Sequence, residues 1–280
     1  MRMLVALFLA LFGTAAYAAP QNVVSINLCT DQLAILMLEP ERLRSVSFLA
    51  LDPTLSNTVA EARAFAINDG STEAAIAHDP DLILAGFLRQ GARVRMIETL
   101  GYPITQVPDA QSIAESLTVI EDLAETLGVP DRGRTITDAM RADLEDAERG
   151  RARPLRAILL QPRGGTVGAG TLVDDVMRRA GLVNVAAEMG IVHAGTLSIE
   201  QLVAADPDLI ILDDDVGEGM SLARAMLDHP ALRAVRARDR VVRVPTRLWW
   251  CPGPWLVEAV QILRDAADGI SPLDGRAAAP

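Results

Sequence analysis

The residue types best suited to chemistry in this chain stand in a few tight groups. Arg247-Leu-Trp-Trp-Cys251 puts a guanidinium, two adjacent indoles and a thiol side by side. Asp213-Asp-Asp215 brings three carboxylates together, which could serve acid–base work. Arg163-Gly-Gly-Thr-Val-Gly-Ala-Gly-Thr171 is a glycine-rich loop of the kind that lets backbone approach a ligand closely. A phosphate loop needs a lysine before Thr171, and all 26 basic residues of the chain are arginine. A dinucleotide fingerprint starting at Gly168 needs a third glycine at position 173, where Val173 stands. No G-x-S-x-G elbow is present, and without lysine there is no Schiff base. The histidines, His78, His193 and His229, lack the spacing of metal ligands. His78 and His229 read as surface residues, whereas His193, in a glycine-flanked loop, is a candidate to line a cleft. The adjacent indoles remain, and they suit stacking against a large flat or bulky ligand.

A repeat positions these groups. Ser71-Thr-Glu-Ala-Ala-Ile-Ala-His-Asp-Pro-Asp-Leu-Ile-Leu-Ala85 returns as Ser198-Ile-Glu-Gln-Leu-Val-Ala-Ala-Asp-Pro-Asp-Leu-Ile-Ile-Leu212. Each copy reads as a short helix opened by serine, with Glu73 or Glu200 in the first turn, where the helix dipole favours negative charge. Each stops at Asp-Pro, since proline disfavours helical geometry in the preceding residue. Each then enters an apolar run that suits a buried parallel strand. Two similar lobes follow from this. Between the copies, Ile113, Leu117, Ile120, Ala124 and Leu127 form one helical stripe over 111–127. A second helix carries Ile136, Met140 and Leu144 on one face and is charged elsewhere. That helix, within 129–153, is expected to be a rigid connector, with an N-terminal α/β lobe over 19–128 and a C-terminal α/β lobe over 154–280.

Strands are expected at Val23–Asn27, Leu43–Phe48, Leu82–Ala85, Ile104–Val107, Ala157–Gln161, Leu209–Leu212 and Val241–Val244. Helices alternate with them, including one over Leu222–Leu227. This is the signature of α/β architecture with parallel sheets. Ligands of open α/β sheets sit beyond the carboxyl ends of the strands. That rule selects Asn27 to Asp31, Phe48 to Pro53, Gly86 to Leu88, Arg163 to Thr171, Asp213 to Asp215 and Arg247 to Cys251. The candidate ligand-binding residues are Asn27, Leu28, Thr30, Phe48, Asp52, Phe87, Arg163, Thr166, Thr171, His193, Asp213, Arg247, Trp249 and Trp250. Of the adjacent tryptophans, one in the core and one exposed is the plainer reading.

Residues 1–18 read as a signal peptide: Arg2, an apolar run from Leu4 to Phe12 too short to cross a bilayer, and Ala16-Tyr-Ala18 as cleavage site. With no lipobox cysteine after that run, a soluble exported protein is expected. The net charge of −11 argues against nucleic acid and anionic membrane as partners. The cysteines, Cys29 and Cys251, can pair in an exported protein or remain two free thiols.

Val24-Ser-Ile-Asn-Leu-Cys-Thr-Asp31, Glu73 to Leu84, Gly168-Ala-Gly-Thr171, Glu200 to Leu212 and Leu248-Trp-Trp-Cys-Pro-Gly-Pro254, in this order and behind a signal peptide, resemble the periplasmic substrate-binding proteins of ABC importers for ferric siderophores, haem and cobalamin. The resemblance implies two Rossmann-like lobes joined by one long helix, with a metal chelate captured between them and no bond chemistry. It implies no resident cofactor, because the iron or cobalt arrives inside the ligand. The inner-membrane ABC permease is the implied partner of a monomeric receptor in the periplasm, docking on Glu73 and Glu200. Cys29 and Cys251 would face the cleft from opposite lobes, where a bridge is feasible. Arg163 and Arg247 would suit an anionic siderophore, and Trp249 and Trp250 a corrinoid equally well. Haem fits less well, since Tyr102 is the one tyrosine beyond the signal peptide. Two other readings stand beside this one: an exported hydrolase using Asp213, Asp214 or Asp215, and a periplasmic scaffold without a small ligand.

Overall fold

The computed structural model describes residues 19–86, 91–148, 154–161, 164–213 and 240–270. The expected signal peptide, Phe87, Arg163, Asp214, Asp215, the helix at Leu222–Leu227 and His229 lie outside them.

The N-terminal lobe runs β1 (Val23–Ser25), α1 (Leu28–Met37), β2 (Leu43–Ser47), α2 (Val59–Ala62), β3 (Ala66–Asn68), α3 (Thr72–Ile76), β4 (Leu82–Gly86), α4 (Gly91–Thr99) and β5 (Ile104–Val107). Its strands are all parallel in the order β3-β2-β1-β4-β5. Two helices follow, α5 (Ile113–Thr126) and α6 (Pro130–Glu148). The C-terminal lobe runs β6 (Leu155–Leu160), β7 (Gly165–Val167), α7 (Leu172–Arg179), β8 (Leu182–Asn184), α8 (Val185–Glu188), β9 (Ala194–Thr196), α9 (Ile199–Ala205), β10 (Leu209–Asp213), β11 (Val241–Val244) and α10 (Trp255–Asp268). Its main sheet is parallel in the order β11-β10-β6-β8, and β7 and β9 form a separate antiparallel pair. The three-residue strands β3, β7, β8 and β9 go unforeseen, being too short for any periodicity to register.

The repeated strands β4 and β10 are buried on both faces and divide their side chains identically. Leu82 and Leu84, like Leu209 and Ile211, point into one large core shared by both lobes and by α1, α5, α6, α7 and α10. Ile83 and Ala85 point into an outer cluster with Val94 and Ile97. Ile210 and Leu212 do the same with Val185, Leu197 and Leu202. Each fully buried Leu or Ile of this kind stabilises by roughly 1.5–3 kcal/mol.

The repeat also has a backbone explanation. Asp79 (φ 45°) and Asp206 (φ 41°), the residues before proline, both adopt the left-handed conformation. Aspartate tolerates it better than most L-residues, so the chain reverses there instead of merely extending. The second aspartate of each motif then fastens a neighbouring strand. Asp81 accepts from the backbone N–H of Gln21 (2.7 Å) and Asn22 (2.9 Å), ahead of β1. Asp208 accepts from that of Arg156 (3.0 Å), at the start of β6.

The crossing between lobes is made by two helices side by side. α5 begins on the C-terminal lobe, where Ile113 N–H donates to Asp175 of α7 at 2.8 Å. It ends on the N-terminal lobe, where Leu127 C=O accepts from Arg42. α6 starts there, with Arg132 donating to Leu36 C=O at 3.0 Å, and returns to pack against α10. Close packing of the pair requires a glycine: a Cβ at Gly133 would lie 2.4 Å from that of Ala124. The helix at 129–153 therefore has a partner, α5, that makes the same crossing in the opposite direction.

A candidate ligand cleft between the lobes

The loops at the carboxyl ends of β1, β5 and β11 enclose a solvent-open cleft of about 300 Å³. Asn27, Cys29, Asp109, Ala110 and Gln111 form one side. Leu172, Trp249, Trp250 and Pro252 form the other.

Asn27 is the N-cap of α1. Its side-chain oxygen accepts from Cys29 N–H (3.0 Å) and Thr30 N–H (3.4 Å). This cap aims Cys29 across the cleft, and Cys29 and Cys251 are joined by a disulfide with Cα atoms 5.1 Å apart. The bridge ties the first helix of one lobe to the loop before the last helix of the other. That loop is fixed from behind as well. The indole N–H of buried Trp255 donates to Cys251 C=O at 2.8 Å. The backbone N–H groups of Trp249 and Trp250 both donate to Thr246 C=O. Trp249 is thereby buried at 3% exposure while Trp250 stands out at 60%. One indole anchors the loop and the other offers a stacking face.

A second tie crosses between the lobes. Arg247 donates to the Asn57 side-chain oxygen at 3.0 Å, and Asn57 Nδ2 donates to Arg247 C=O at 2.6 Å. Arg247 is therefore engaged in holding the lobes together and does not line the cleft.

Several other candidates are placed elsewhere. Leu28 is a core residue. Thr30 is fully buried, bonded to Ser25 Oγ (2.7 Å) and Asn27 C=O (2.9 Å). Phe48 is exposed, in a 3-10 turn over Phe48–Leu51 that directly follows β2. Asp52 closes its own turn, accepting from the Thr54 hydroxyl (2.7 Å) and N–H (2.9 Å); the hydroxyl foremost, these donors hold its pKa below the usual carboxylate range. Thr166 is buried and donates to Leu159 C=O at 2.7 Å. Thr171 caps α7, accepting from Asp174 N–H at 3.1 Å. His193 is exposed at φ 60°, its backbone paired with Gly168 and Ala169. Asp213 is buried and accepts from the Thr246 hydroxyl and from Gln161 (3.4 Å). The carboxyl-end rule names loops, and within a loop each residue points its own way. On α1, Leu28 and Thr30 turn into the core while Cys29 between them turns outward.

The glycine loop approaches its own chain closely. A Cβ at Gly168 would sit 1.9 Å from Ile191 C=O, which closes the β7–β9 pair. Asp109, Ala110, Gln111, Leu172 and Pro252 line the cleft unforeseen. The signal for three of them was at hand, since 109–111 follow β5, an expected strand, after Pro108 alone.

Glu73 and Glu200 are exposed in the first turns of α3 and α9. Both helices run from the carboxyl end of the lobe's first strand back to its start. Gly70 lies beside Ile26 C=O, while Asp81 N–H donates to Asn22 C=O. Leu197 N–H donates to Gly164 C=O, while Asp208 N–H donates to Arg156 C=O. The two glutamates thus occupy the cleft ends of their lobes.

Two parallel α/β lobes with a loop-lined cleft between them define a binding protein. Residues 23–246 match the family model described as periplasmic binding protein, and the chain belongs to that family. It is 25% identical over 211 residues to the uncharacterized ABC transporter substrate-binding lipoprotein YvrC of Bacillus subtilis (strain 168), covering 70% of this chain and 64% of that protein. The chain thus spans just under two thirds of that relative. The fold is shared with the periplasmic heme-binding protein RhuT from Roseiflexus sp. RS-1 in apo form, at TM-score 0.74 and 23% identity, covering 88% of this chain and 99% of that one. It is likewise shared with the periplasmic vitamin B12 binding protein BtuF of Vibrio cholerae, at TM-score 0.68 and 21% identity, covering 89% and 97%. No helix among the described residues is long and apolar enough to cross a membrane.

Proposed function

We propose that this protein is the substrate-binding component of an ABC importer, capturing a metal chelate in the interlobe cleft and handing it to an inner-membrane permease. The observation that carries this reading is the cleft itself. Both lobes contribute to it, and it pairs an exposed indole, Trp250, with three polar side chains, Asn27, Asp109 and Gln111. An aromatic face with a few convergent polar groups is the usual make-up of a small-molecule site. Chemistry on the ligand has little support, because buried Asp213 is held by Thr246.

A corrinoid or ferric siderophore fits better than haem. Haem iron takes an axial ligand from the protein. Among the described residues lining the cleft there is no His, Tyr or Met, and Cys29 is in the bridge. Tyr102 packs against the outer cluster of the N-terminal lobe. A chelate whose organic frame already satisfies its metal asks for no such ligand. Among the described residues no three His, Cys, Asp or Glu stand close enough to hold a bare metal ion.

Glu73 and Glu200 are the proposed permease contacts, one beside each half of the cleft mouth. The chain's two cysteines are bonded to each other, so neither is available to carry a lipid, and a soluble receptor in the periplasm is the form proposed. The test is absorbance and native mass spectrometry of protein taken from its own periplasm. A bound coloured chelate is expected, with a spectrum that separates iron from cobalt. Replacing Glu73 and Glu200 together should abolish uptake and leave ligand affinity unchanged. Protein that carries no small molecule, and whose tryptophan fluorescence no metal chelate alters, would refute the reading.

A further inference from the structure

Asp109 carries the one ionisable side chain on the described cleft lining, apart from the bridged Cys29. It follows Val107-Pro108 at the end of β5 and precedes Ser112, the N-cap of α5. Neighbouring acids are occupied: Glu115 accepts from Gln111 N–H at 2.8 Å, and Asp175 from Ile113 N–H. No donor among the described residues reaches the Asp109 carboxylate. It shares the cleft with two indoles, and burial against that wall raises its pKa above the ordinary carboxylate range. Asp109 is exposed to the solvent of the open cleft, so its carboxylate is free to accept from donors that a ligand brings. Arg247, which could have balanced it, is turned to Asn57.

We propose that Asp109 is the specificity-determining residue of the cleft and selects a ligand whose edge presents N–H or cationic donors over a polyanionic chelate. This rests on the reading of the cleft as a chelate site. The ligand's face lies on Trp250, and its donor edge meets Asp109, with Gln111 and Asn27 beside it. Charge-assisted hydrogen bonds of this kind are roughly twice as strong as neutral ones and strongly directional. An amide-fringed corrinoid and a cationic hydroxamate chelate both present such an edge. A ferric tris-catecholate, with three negative charges, does not.

Calorimetric titration with cyanocobalamin, a cationic ferrioxamine and a ferric tris-catecholate tests this. The wild type should bind one of the first two at least about tenfold more tightly than the third. Asp109→Asn should lose about tenfold or more of that preference, with unchanged thermal melting, and Asp109→Glu should restore part of it. If Asp109→Asn leaves the preference intact while Trp250→Ala weakens every probe, Asp109 is not the selector and the chelate reading stands. A wild type that prefers the tris-catecholate also overturns the proposal. If no probe binds and Trp250→Ala changes nothing, the chelate reading falls as well.

Discussion

In the N-terminal lobe the strands run β3-β2-β1-β4-β5, and in the other β8-β6-β10-β11 traces the same path without the outermost strand. β1 corresponds to β6 and β4 to β10. The helix after each first strand is capped alike, by Asn27 for α1 and Thr171 for α7. Four residues past each cap stands a buried aspartate, Asp31 or Asp175. There the lobes part. Asp31 accepts from Ser47 N–H (3.1 Å) and the Ser47 hydroxyl, both neutral. Asp175 is met by Arg178 (2.6 Å) and Arg179 (3.4 Å) as well as Ile113 N–H (2.8 Å). Two positions past each cap the N-terminal lobe has Cys29 and the C-terminal lobe Val173. One scaffold has thus been fitted out twice. The N-terminal copy supplies half of the covalent tie and a neutral-donor aspartate; the C-terminal copy supplies the indoles and a charge-compensated one.

The largest effect expected is from removing the tie. The bridge spans 222 residues of sequence, so its loss restores much freedom to the unfolded chain. Replacing Cys29 and Cys251 by serine should lower stability by about 2–5 kcal/mol, read as a drop in the urea midpoint. Two reactive thiols in denatured, unreduced wild-type protein would show that no covalent tie joins the lobes.

Next comes the difference between the buried acids. Burial pushes the Asp31 pKa from 3.8 up to about 7 despite the hydrogen bonds of Ser25 and Ser47, which act the other way. The folded state therefore holds a proton that the unfolded chain has already released. Asp31's part in stability is greatest below pH 4 and falls by about 1.4 kcal/mol per pH unit until the folded group ionises near 7. Asp31→Asn keeps an acceptor for Ser47 and cannot ionise, so its stability should be flatter than the wild type's between pH 4 and 7. Denaturation midpoints across that range decide it, and parallel curves for the two proteins would remove the contrast between the lobes.

What the sequence discloses follows the same division. The lobe plan is legible because the Asp-Pro-Asp motif is local: a left-handed aspartate, a proline and a strand-fastening aspartate need only their own neighbours. The cleft is half legible. Asn27, Trp249 and Trp250 are found by the strand-end rule, while Thr30, Thr166 and Asp213 satisfy the same rule and turn inward. That choice is set by partners far along the chain, such as Thr246 for Asp213, which no local pattern announces. Asp109 is missed for another reason. β5 and the helix after it are both visible, and the five residues between them, 108–112, read as a connection until the opposite lobe is placed across the cleft from it.

The smallest contrast lies in the repeat itself. Asp81 and Asp208 do the same backbone work, so symmetric function predicts symmetric cost. Their surroundings are unequal, however. Asp81 faces two backbone amides, and its side-chain bonds to them are open to solvent. Asp208 lies 3.9 Å from the guanidinium of Arg240, which is itself buried. Removing the acid from beside a buried cation leaves that charge poorly compensated, which costs more than the hydrogen bond alone. Asp81→Ala should destabilise by roughly 1 kcal/mol and Asp208→Ala by about twice that. Equal losses in a denaturant titration would mean that Arg240 finds its compensation elsewhere and that the two lobes are fastened alike. A larger loss at Asp208 locates the asymmetry of the pair in one arginine, leaving the shared strand plan intact.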